Sequence, residues 1–154
     1  MSSRVVIKLG GGLITDKGSM KKFDPDSVER VADSISSIVG MGVPVVIVHG
    51  AGSFGHLLAK EWSISKGVDQ KIAKEQRMIV EEIRSDMREL NGLVIDRLSD
   101  SGLQSEGLPP SEWAIGTGSG FKGDITNFER VVEAPIPITF GDVVDTNDQQ
   151  EFGI

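Results

Sequence analysis

A short apolar strand that runs directly into a glycine-rich turn is the most constraining feature of this sequence. Residues 43–58 read Val-Pro-Val-Val-Ile-Val-His-Gly-Ala-Gly-Ser-Phe-Gly-His-Leu-Leu. The turn fits the dinucleotide pattern G-x-G-x-x-G at Gly50, Gly52 and Gly55, and it departs from the phosphate-binding P-loop where His56 replaces a lysine. A strand, a glycine turn and a helix in this order are typical of α/β folds that hold anions.

An earlier strand ends in the same way, so the chain opens with a β-loop-α-β unit. Residues 4–9 form a strand pattern that stops at three consecutive glycines, residues 10–12. Asp24 and Pro25 then supply a helix N-cap and a proline at the first helical position, and apolar residues recur at helical spacing up to Val39. Two short strands joined through a helix pair in parallel, with helices covering the sheet. The predicted fold class is therefore α/β with a mainly parallel central sheet.

The remaining chain alternates between helical and extended patterns. We predict helices after Gly55 as far as Trp62, from about Gln70 to Leu98, and over 126–132, strands over 103–108 and 136–140, a loop or hairpin over 116–123, and a hairpin with arms at Val143 and Phe152. Pro137 indicates that strand 136–140 lies at a sheet edge or that the proline lies near the strand's end. Because the sequence stops in the returning arm of the last hairpin, we expect it to be part of a longer protein.

Composition excludes several classes of function. The chain has 154 residues and a formal net charge of −7, which argues against a general nucleic-acid or anionic-membrane surface. It has no cysteine, and therefore no disulfide framework, thiolate metal site or thiol nucleophile. The N-terminus enters a strand pattern almost at once, which leaves no room for a signal peptide, and no apolar run is long enough to span a bilayer. We expect one cytoplasmic domain without a nucleic-acid or membrane partner and with no metal ligands of its own.

The two glycine turns predict phosphate chemistry. Both follow parallel strands, so both lie at the carboxyl edge of the sheet, where glycine N–H groups can close on phosphate oxygens. Lys8, at the end of the first strand, would point its ammonium into the same crevice, and Lys17 could reach it. His49 is predicted to be a hydrogen-bonded core residue. His56 lies just after a helix start, where a protonated imidazole is unfavourable unless an anion lies opposite it, so His56 indicates an anion site. This layout suits phosphoryl transfer.

The two standard nucleotide motifs both fail in detail. A dinucleotide-binding loop should belong to the first β-α-β unit and have an acidic residue at the next strand end, whereas Asp69 and Glu75 lie in a loop and in a predicted helix. A P-loop needs a lysine and a hydroxyl where His56 and Leu57 stand. A dinucleotide-binding oxidoreductase is therefore a distant alternative.

Three segments together resemble isopentenyl phosphate kinases, which belong to the amino acid kinase superfamily. These segments are Ile7–Lys17 (IKLGGGLITDK), Val48–His56 (VHGAGSFGH) and Phe140–Val144 (FGDVV), and the resemblance runs along the whole chain. It implies a three-layer α/β/α sandwich with a mainly parallel central sheet. Residues 1–154 would be the N-terminal, phosphate-acceptor-binding lobe, and a C-terminal nucleotide-binding lobe would be absent.

The resemblance also implies a set of site residues. Lys8 with Gly10, Gly11 and Gly12 would hold the transferring phosphoryl group, Gly52 would contact the phosphates of ATP, and Lys17 would stabilise transition-state charge. The acceptor phosphate of isopentenyl phosphate would be bound by residues of the second and third segments: Ala51, Gly55, His56 and Gly141. ATP with Mg²⁺ would be the cofactor, and the protein would be a homodimer through helices of this lobe, which the apolar face of residues 70–98 permits.

Two departures from the family pattern bear on the site. The family usually has serine at the position of Gly12 and glycine at the position of Ala51, where a methyl group fits only if φ is negative. Because the nucleotide lobe is missing, we expect residues 1–154 alone to hold phosphate but to turn over ATP poorly. A fosfomycin kinase and a non-catalytic phosphate-binding or dimerisation module remain as alternatives.

Overall fold

The computed structural model describes residues 3–16 and 18–154. Within these ranges the elements, in chain order, are β1 (Val5–Leu9), α1 (Gly11–Ile14), α2 (Pro25–Gly40), β2 (Val45–His49), α3 (Gly52–Glu61), α4 (Ala73–Asp100), β3 (Ser105–Gly107), α5 (Pro110–Trp113), β4 (Ala114–Ile115), β5 (Lys122–Gly123), β6 (Ile136–Phe140), β7 (Val144–Asp145) and β8 (Phe152–Gly153). The main sheet has the order β1-β2-β6-β3, and each neighbouring pair is parallel. The predicted α/β class with a parallel sheet is confirmed.

The first long helix, α2, begins where the sequence predicts. The Asp24 side chain accepts a hydrogen bond from the Ser27 amide at 3.2 Å, and Pro25 occupies the first turn, where a missing N–H costs nothing. Val28 and Ile35 of its apolar stripe are fully buried. The chain leaves the helix through Gly42, whose φ of +76° suits glycine.

The hydrophobic core lies between one face of the sheet and the helices α2, α3 and α4. Leu9, Ile47 and Ile138 share that sheet face, and the apolar stripe of α4 packs in the same cluster, through Val80, Ile83, Met87, Leu90, Val94 and Leu98. Each such side chain contributes about 1.5–3 kcal/mol when fully buried. The apolar face of α4 is therefore used inside this chain and is not available for the dimer contact that the sequence suggested.

Strand β6 lies inside the sheet, so of the two expectations raised by Pro137 the edge strand is wrong and the position near the strand's end is confirmed. Pro137 pairs with Glu106 of β3, whereas the pairing of β6 with β2 begins only at Ile138. The amide of Ile136 donates towards the β3 side, to Gln104, so the missing N–H of Pro137 falls on the β2 side, before that ladder starts. The proline is tolerated in an interior strand because it is the second residue and removes no ladder bond.

Several predicted boundaries shift. Helix α3 begins at Gly52, three residues before Gly55, and the segment 126–128 is a single 3₁₀ turn rather than a helix to residue 132. The Thr126 hydroxyl donates to Asp124 at 2.7 Å instead of capping a following helix, which explains the short turn. The hairpin β7–β8 and a hairpin at 114–123, β4–β5, are present. In the described ranges, none of the helices has both the length and the apolar character required to cross a membrane.

Candidate functional site

The two glycine turns pack against each other at the carboxyl edge of β1 and β2. A Cβ atom built on Gly11 would overlap the backbone nitrogen of Gly52, and one built on Gly50 would lie 2.6 Å from the nitrogen of Gly11. Real Cβ contacts are essentially never that short, so this close approach of two backbones requires glycine at both positions. The predicted juxtaposition of the two turns is present in the structure.

The backbone angles at Ala51 and Gly52 allow an alanine at position 51, where the family usually has glycine. Ala51 has φ −80° and ψ −31°, an ordinary right-handed conformation in which a methyl group fits. Gly52, the next residue, has φ +51°, and a Cβ there would collide with the Thr15 hydroxyl and lie 2.7 Å from the carbonyl oxygen of Gly11. The positive φ thus falls on the glycine, and the alanine before it is unstrained.

A buried hydroxyl joins the two turns. The Thr15 side chain is 3% exposed, and its Oγ1 donates to the carbonyl of Gly11 at 2.6 Å and accepts from the amide of Ser53 at 3.1 Å. Ser53 is the second residue of α3, so this bond satisfies one of the helix's orphan N–H groups. Sequence reasoning missed Thr15 because it stands at the start of a polar run, Thr15–Ser19, that reads as a surface loop.

An open cleft of about 440 Å³ lies over these turns and is lined by Gly11, Gly12, Gly52, Ser53, His56 and Leu57. Among the residues that the structure describes, the backbone N–H groups of Gly11, Gly12 and Gly52 donate to no protein acceptor. Gly11 and Gly12 begin α1, and Gly52 begins α3, so all three are donors of helix first turns. The cleft therefore offers three unpaired N–H donors and the partial positive charge of the N-terminus of α3.

His56 borders the same cleft from the second turn of α3. Its side chain is exposed and faces the space in front of Gly11 and Gly12, with Leu57 beside it. An imidazole next to unpaired backbone donors can hydrogen-bond an oxyanion that these donors hold. The structure thus brings together four of the predicted site residues: Gly11, Gly12, Gly52 and His56.

The predicted lysines are placed differently. Lys8 is exposed on β1 and pairs in register with Val48, on the sheet face opposite to the helices, and it does not line the cleft. Lys17 lies outside the described residues. Lys21, which the sequence analysis did not consider, bridges Asp86 and Glu89 of α4 at 3.0 and 2.9 Å, and this pairing raises the pKa of its ammonium, with the bond to Glu89 as the largest cause.

Four further predicted residues, Ala51, Gly10, Gly141 and Gly55, lie around the cleft rather than in its lining. Gly10 is exposed with open space at its Cα, and Gly141 follows β6, where its amide donates to the carbonyl of His49 at 3.0 Å. Gly55 is buried, and a Cβ there would lie 2.9 Å from Sδ of Met87 on α4. The close packing of α3 on α4 accounts for a glycine at position 55.

His49 is a core residue, as predicted from the sequence. The ring is 1% exposed, its Nδ1 lies 2.9 Å from the carbonyl oxygen of Gly50, and it stacks on Phe140 with ring centroids 5.1 Å apart. Burial lowers the pKa of the imidazole to about 4, against which the bond to Gly50 acts only in part. The ring is therefore neutral at pH 7, and its bond to Gly50 supports the second glycine turn.

Comparisons with known proteins point to one family. Residues 3–154 match the model of the amino acid kinase family. The chain is 31% identical over 150 residues to an isopentenyl phosphate kinase of Methanothermobacter thermautotrophicus, covering 95% of this chain and 56% of that protein. It is 28% identical to that of Thermoplasma acidophilum, covering 97% and 57%. The chain thus spans little more than half the length of these relatives.

Solved structures agree at the level of the fold. An isopentenyl phosphate kinase structure superposes with a TM-score of 0.86 at 30% identity, covering 98% of this chain and 62% of the other. The product complex of the Thermoplasma acidophilum isopentenyl phosphate kinase gives 0.80 at 26% identity, covering 99% and 60%. An aspartate kinase from Synechocystis gives 0.65 at 16% identity, covering 97% and 23%, which supports the fold alone.

Proposed function

Because this chain belongs to the amino acid kinase family, we propose that it forms the phosphate-acceptor lobe of an ATP-dependent kinase. The acceptor we propose is isopentenyl phosphate, and the product is isopentenyl diphosphate. Relatives with this name match 95–97% of the chain, and they support the choice of acceptor. Since the chain spans only part of those relatives, we expect residues 1–154 alone to bind phosphate and to turn over ATP poorly.

The observation that carries the proposal is the cleft with three unpaired backbone donors and an imidazole at its rim. Gly11, Gly12 and Gly52, whose N–H groups donate to no acceptor among the described residues, line one cleft, and His56 lines it too. Phosphoryl transfer depends mainly on positioning and charge stabilisation, which fixed N–H donors supply without reorganisation. First-turn N–H groups that lie in an open cleft are free to donate to a bound anion, and an exposed imidazole beside them adds a further hydrogen-bonding group.

Each residue then has a definite task. The N–H groups of Gly11 and Gly12, with Gly10, would hold the transferring phosphoryl group, and Gly52 would contact the phosphates of ATP; Lys8 lies on the opposite sheet face and would take no part. His56, with Ala51, Gly55 and Gly141, would hold and aim the acceptor phosphate, and Lys17 would stabilise transition-state charge. ATP supplies the γ-phosphoryl group, and Mg²⁺ would be held by its phosphates, since Mg²⁺ commonly binds through substrate phosphates. An acceptor phosphate oxygen is already anionic, so no general base is required.

The apolar lining of the cleft favours a hydrocarbon tail on the acceptor. Leu57 lies next to His56 in the lining and is 44% exposed, so an apolar group that covered it would be removed from water. Fosfomycin, a small polar epoxide, would cover less of this surface.

We also propose a homodimer located in the cytoplasm, whose interface would have to use a surface other than the apolar face of α4.

A comparison of two acceptors tests the proposal. The product of the complete reading frame is assayed with MgATP and either isopentenyl phosphate or fosfomycin, and ADP formation is measured. We expect kcat/KM to be higher with isopentenyl phosphate and to fall about 10- to 100-fold in His56→Ala, because a hydrogen bond to a charged group is lost. The control is Lys60→Ala, an exposed residue one turn further along α3 that does not line the cleft.

Three results would count against this function. Full efficiency of His56→Ala with isopentenyl phosphate would show that the imidazole has no role in binding the acceptor. A preference for fosfomycin would mean that the cleft binds a phosphonate acceptor rather than isopentenyl phosphate. Binding of inorganic phosphate without turnover of either acceptor by the complete protein would favour a non-catalytic phosphate-binding module.

A further inference from the structure

Thr15 is the one side chain of the described residues that hydrogen-bonds to both glycine turns at once. Its Oγ1 reaches the carbonyl of Gly11 at 2.6 Å and the amide of Ser53 at 3.1 Å, and its own amide also donates to Gly11 at 3.0 Å. The side chain is 3% exposed, so water does not compete for these bonds. The hydroxyl therefore links the start of α1 to the start of α3.

The bond to Ser53 also determines which donors face the cleft. Ser53 N–H would otherwise be the next orphan donor after Gly52, but Thr15 occupies it, and the amide of Phe54 turns back to Ala51 at 3.1 Å. Gly52 is then left as the donor of α3 opposite Gly11 and Gly12. The Thr15 methyl group and hydroxyl fill the space where a Cβ of Gly52 would lie, next to a residue in the left-handed conformation.

The outer part of the same loop is tied down at a second point. The amide of Lys21 donates to the carbonyl of Ser53 at 3.2 Å, and the amide of Lys22 donates to the Ser53 hydroxyl at 3.3 Å. Ser53 thus receives three contacts from the segment that starts at Thr15, and it lines the cleft. A change at Thr15 would be transmitted to the cleft through Ser53, although Thr15 itself does not line it.

We propose that Thr15 is a positioning residue for anion binding: it fixes the spacing at which the N–H groups of Gly11, Gly12 and Gly52 converge on one phosphate group. This inference rests on the proposed function only in the identity of the anion. It predicts that the hydroxyl, rather than the shape of the side chain, determines phosphate affinity. Valine has nearly the same shape without the hydroxyl, and serine keeps the hydroxyl without the methyl group.

The test compares Thr15→Val with Thr15→Ser in the complete protein. The affinity for inorganic phosphate is measured by titration calorimetry at a temperature at which both variants are folded by circular dichroism. We expect Thr15→Val to raise the Kd about tenfold, since at least one donor no longer converges, and Thr15→Ser to remain within about threefold of wild type. Equal affinities of the valine variant and wild type overturn the proposal, as does a serine variant as weak as the valine variant.

Amide hydrogen exchange gives a readout that does not depend on a ligand. In the wild-type protein the Ser53 amide should exchange slowly, while the amides of Gly11, Gly12 and Gly52 exchange fast and are slowed by added phosphate. Fast exchange at Ser53 in the wild type overturns the proposal even if Thr15→Val does not fold. If wild type binds no phosphate, the proposed function fails, whereas a slow Ser53 amide that becomes fast in Thr15→Val still supports the positioning role.

Discussion

The side-chain amide of Asn91 lies 3.2 Å from Nε2 of His49 and ties the long helix α4 to the end of β2. The other ring nitrogen, Nδ1, lies 2.9 Å from the carbonyl oxygen of Gly50. A carbonyl can only accept, so the neutral ring carries its proton on Nδ1, and Nε2 accepts from the amide of Asn91. A protonated ring would lose the bond from Asn91, which makes this contact sensitive to acid.

The first prediction concerns stability in mild acid. Burial depresses the pKa of His49 from 6.5 to about 4, so its contribution to stability is complete above pH 6.5 and is lost as the pH falls towards 4. A difference of this size corresponds to about 3 kcal/mol. Urea unfolding at several pH values between 7.5 and 4 should show this loss in wild type. His49→Gln should be less stable at pH 7.5 but should lack this part of the pH dependence, and parallel curves for the two proteins would contradict the assignment.

The second prediction concerns a buried carboxyl group with the opposite pH dependence. Asp142 is 8% exposed; its Oδ1 accepts from the amide of Val143 at 2.8 Å, and within the described residues its Oδ2 has no hydrogen-bond partner. Burial raises the pKa of Asp142 to about 6, so its ionisation destabilises the fold, and stability present below pH 3.8 is lost as the pH rises through 6. Asp142→Asn keeps an acceptor for Val143 and should gain about 2–3 kcal/mol over wild type between pH 4 and pH 7.

The measurement is the difference in unfolding free energy between Asp142→Asn and wild type at pH 4 and at pH 7. Asp33→Asn, which changes an exposed carboxylate on α2, serves as the control and should leave that difference near zero at both pH values. If Asp142→Asn shows the same difference at pH 4 and at pH 7, Asp142 is not the group that titrates.

Local signals in the sequence were sufficient for α2 and for the glycine turns. Asp24 and Pro25 act within their own helix turn, so the start of α2 could be predicted without any tertiary information. The parallel arrangement of β1 and β2 follows from their helical connection and places Gly11 against Gly52. These features depend on residues that are near each other in sequence or on one topological rule.

The features that the sequence did not reveal depend on distant partners. Pro137 is acceptable inside the sheet only because of the register between β2 and β6, which no local pattern encodes. Thr15 meets Ser53 across 38 residues, and Asn91 meets His49 across 42, so their roles appear only when the helices are packed. The position of Lys8 on the sheet face opposite to the helices follows from strand alternation, which the sequence analysis did not apply to it.

The third prediction tests whether glycine is required at position 52 in the cleft lining. Gly52→Ala places a methyl group at φ +51° and against the Thr15 hydroxyl and the carbonyl of Gly11. Left-handed strain of about 1–2 kcal/mol and overpacking of about 1–3 kcal/mol should together lower the unfolding free energy by more than about 2 kcal/mol. Thermal or urea unfolding measures this loss.

The control for that prediction is a glycine in open space. Gly92 lies in the middle of α4 with no neighbouring atom near the position of a Cβ, so Gly92→Ala should stabilise the protein by up to about 1 kcal/mol. Opposite signs for the two alanine variants are expected. A Gly52→Ala protein as stable as wild type would mean that the turn rearranges freely.

The last prediction compares a buried arginine with an exposed one. Arg84 on α4 is 8% exposed; its Nε donates to the carbonyl of Val143 at 2.9 Å, and its two terminal nitrogens each meet a carboxylate at 2.9 Å, those of Glu81 and Asp145. Arg84→Met leaves a buried carbonyl without a donor and should cost about 2–4 kcal/mol of unfolding free energy.

Arg77 makes an equally short two-pronged contact with Glu151, at 2.9 and 2.8 Å, but is exposed, so Arg77→Met should cost at most about 1 kcal/mol. Urea unfolding of both variants at low and at high salt measures the contrast, because screening weakens the exposed pair more than the buried one. Equal losses for the two variants would show that burial does not determine the strength of these contacts, and that Arg84 does not hold α4 to the β6–β7 connection.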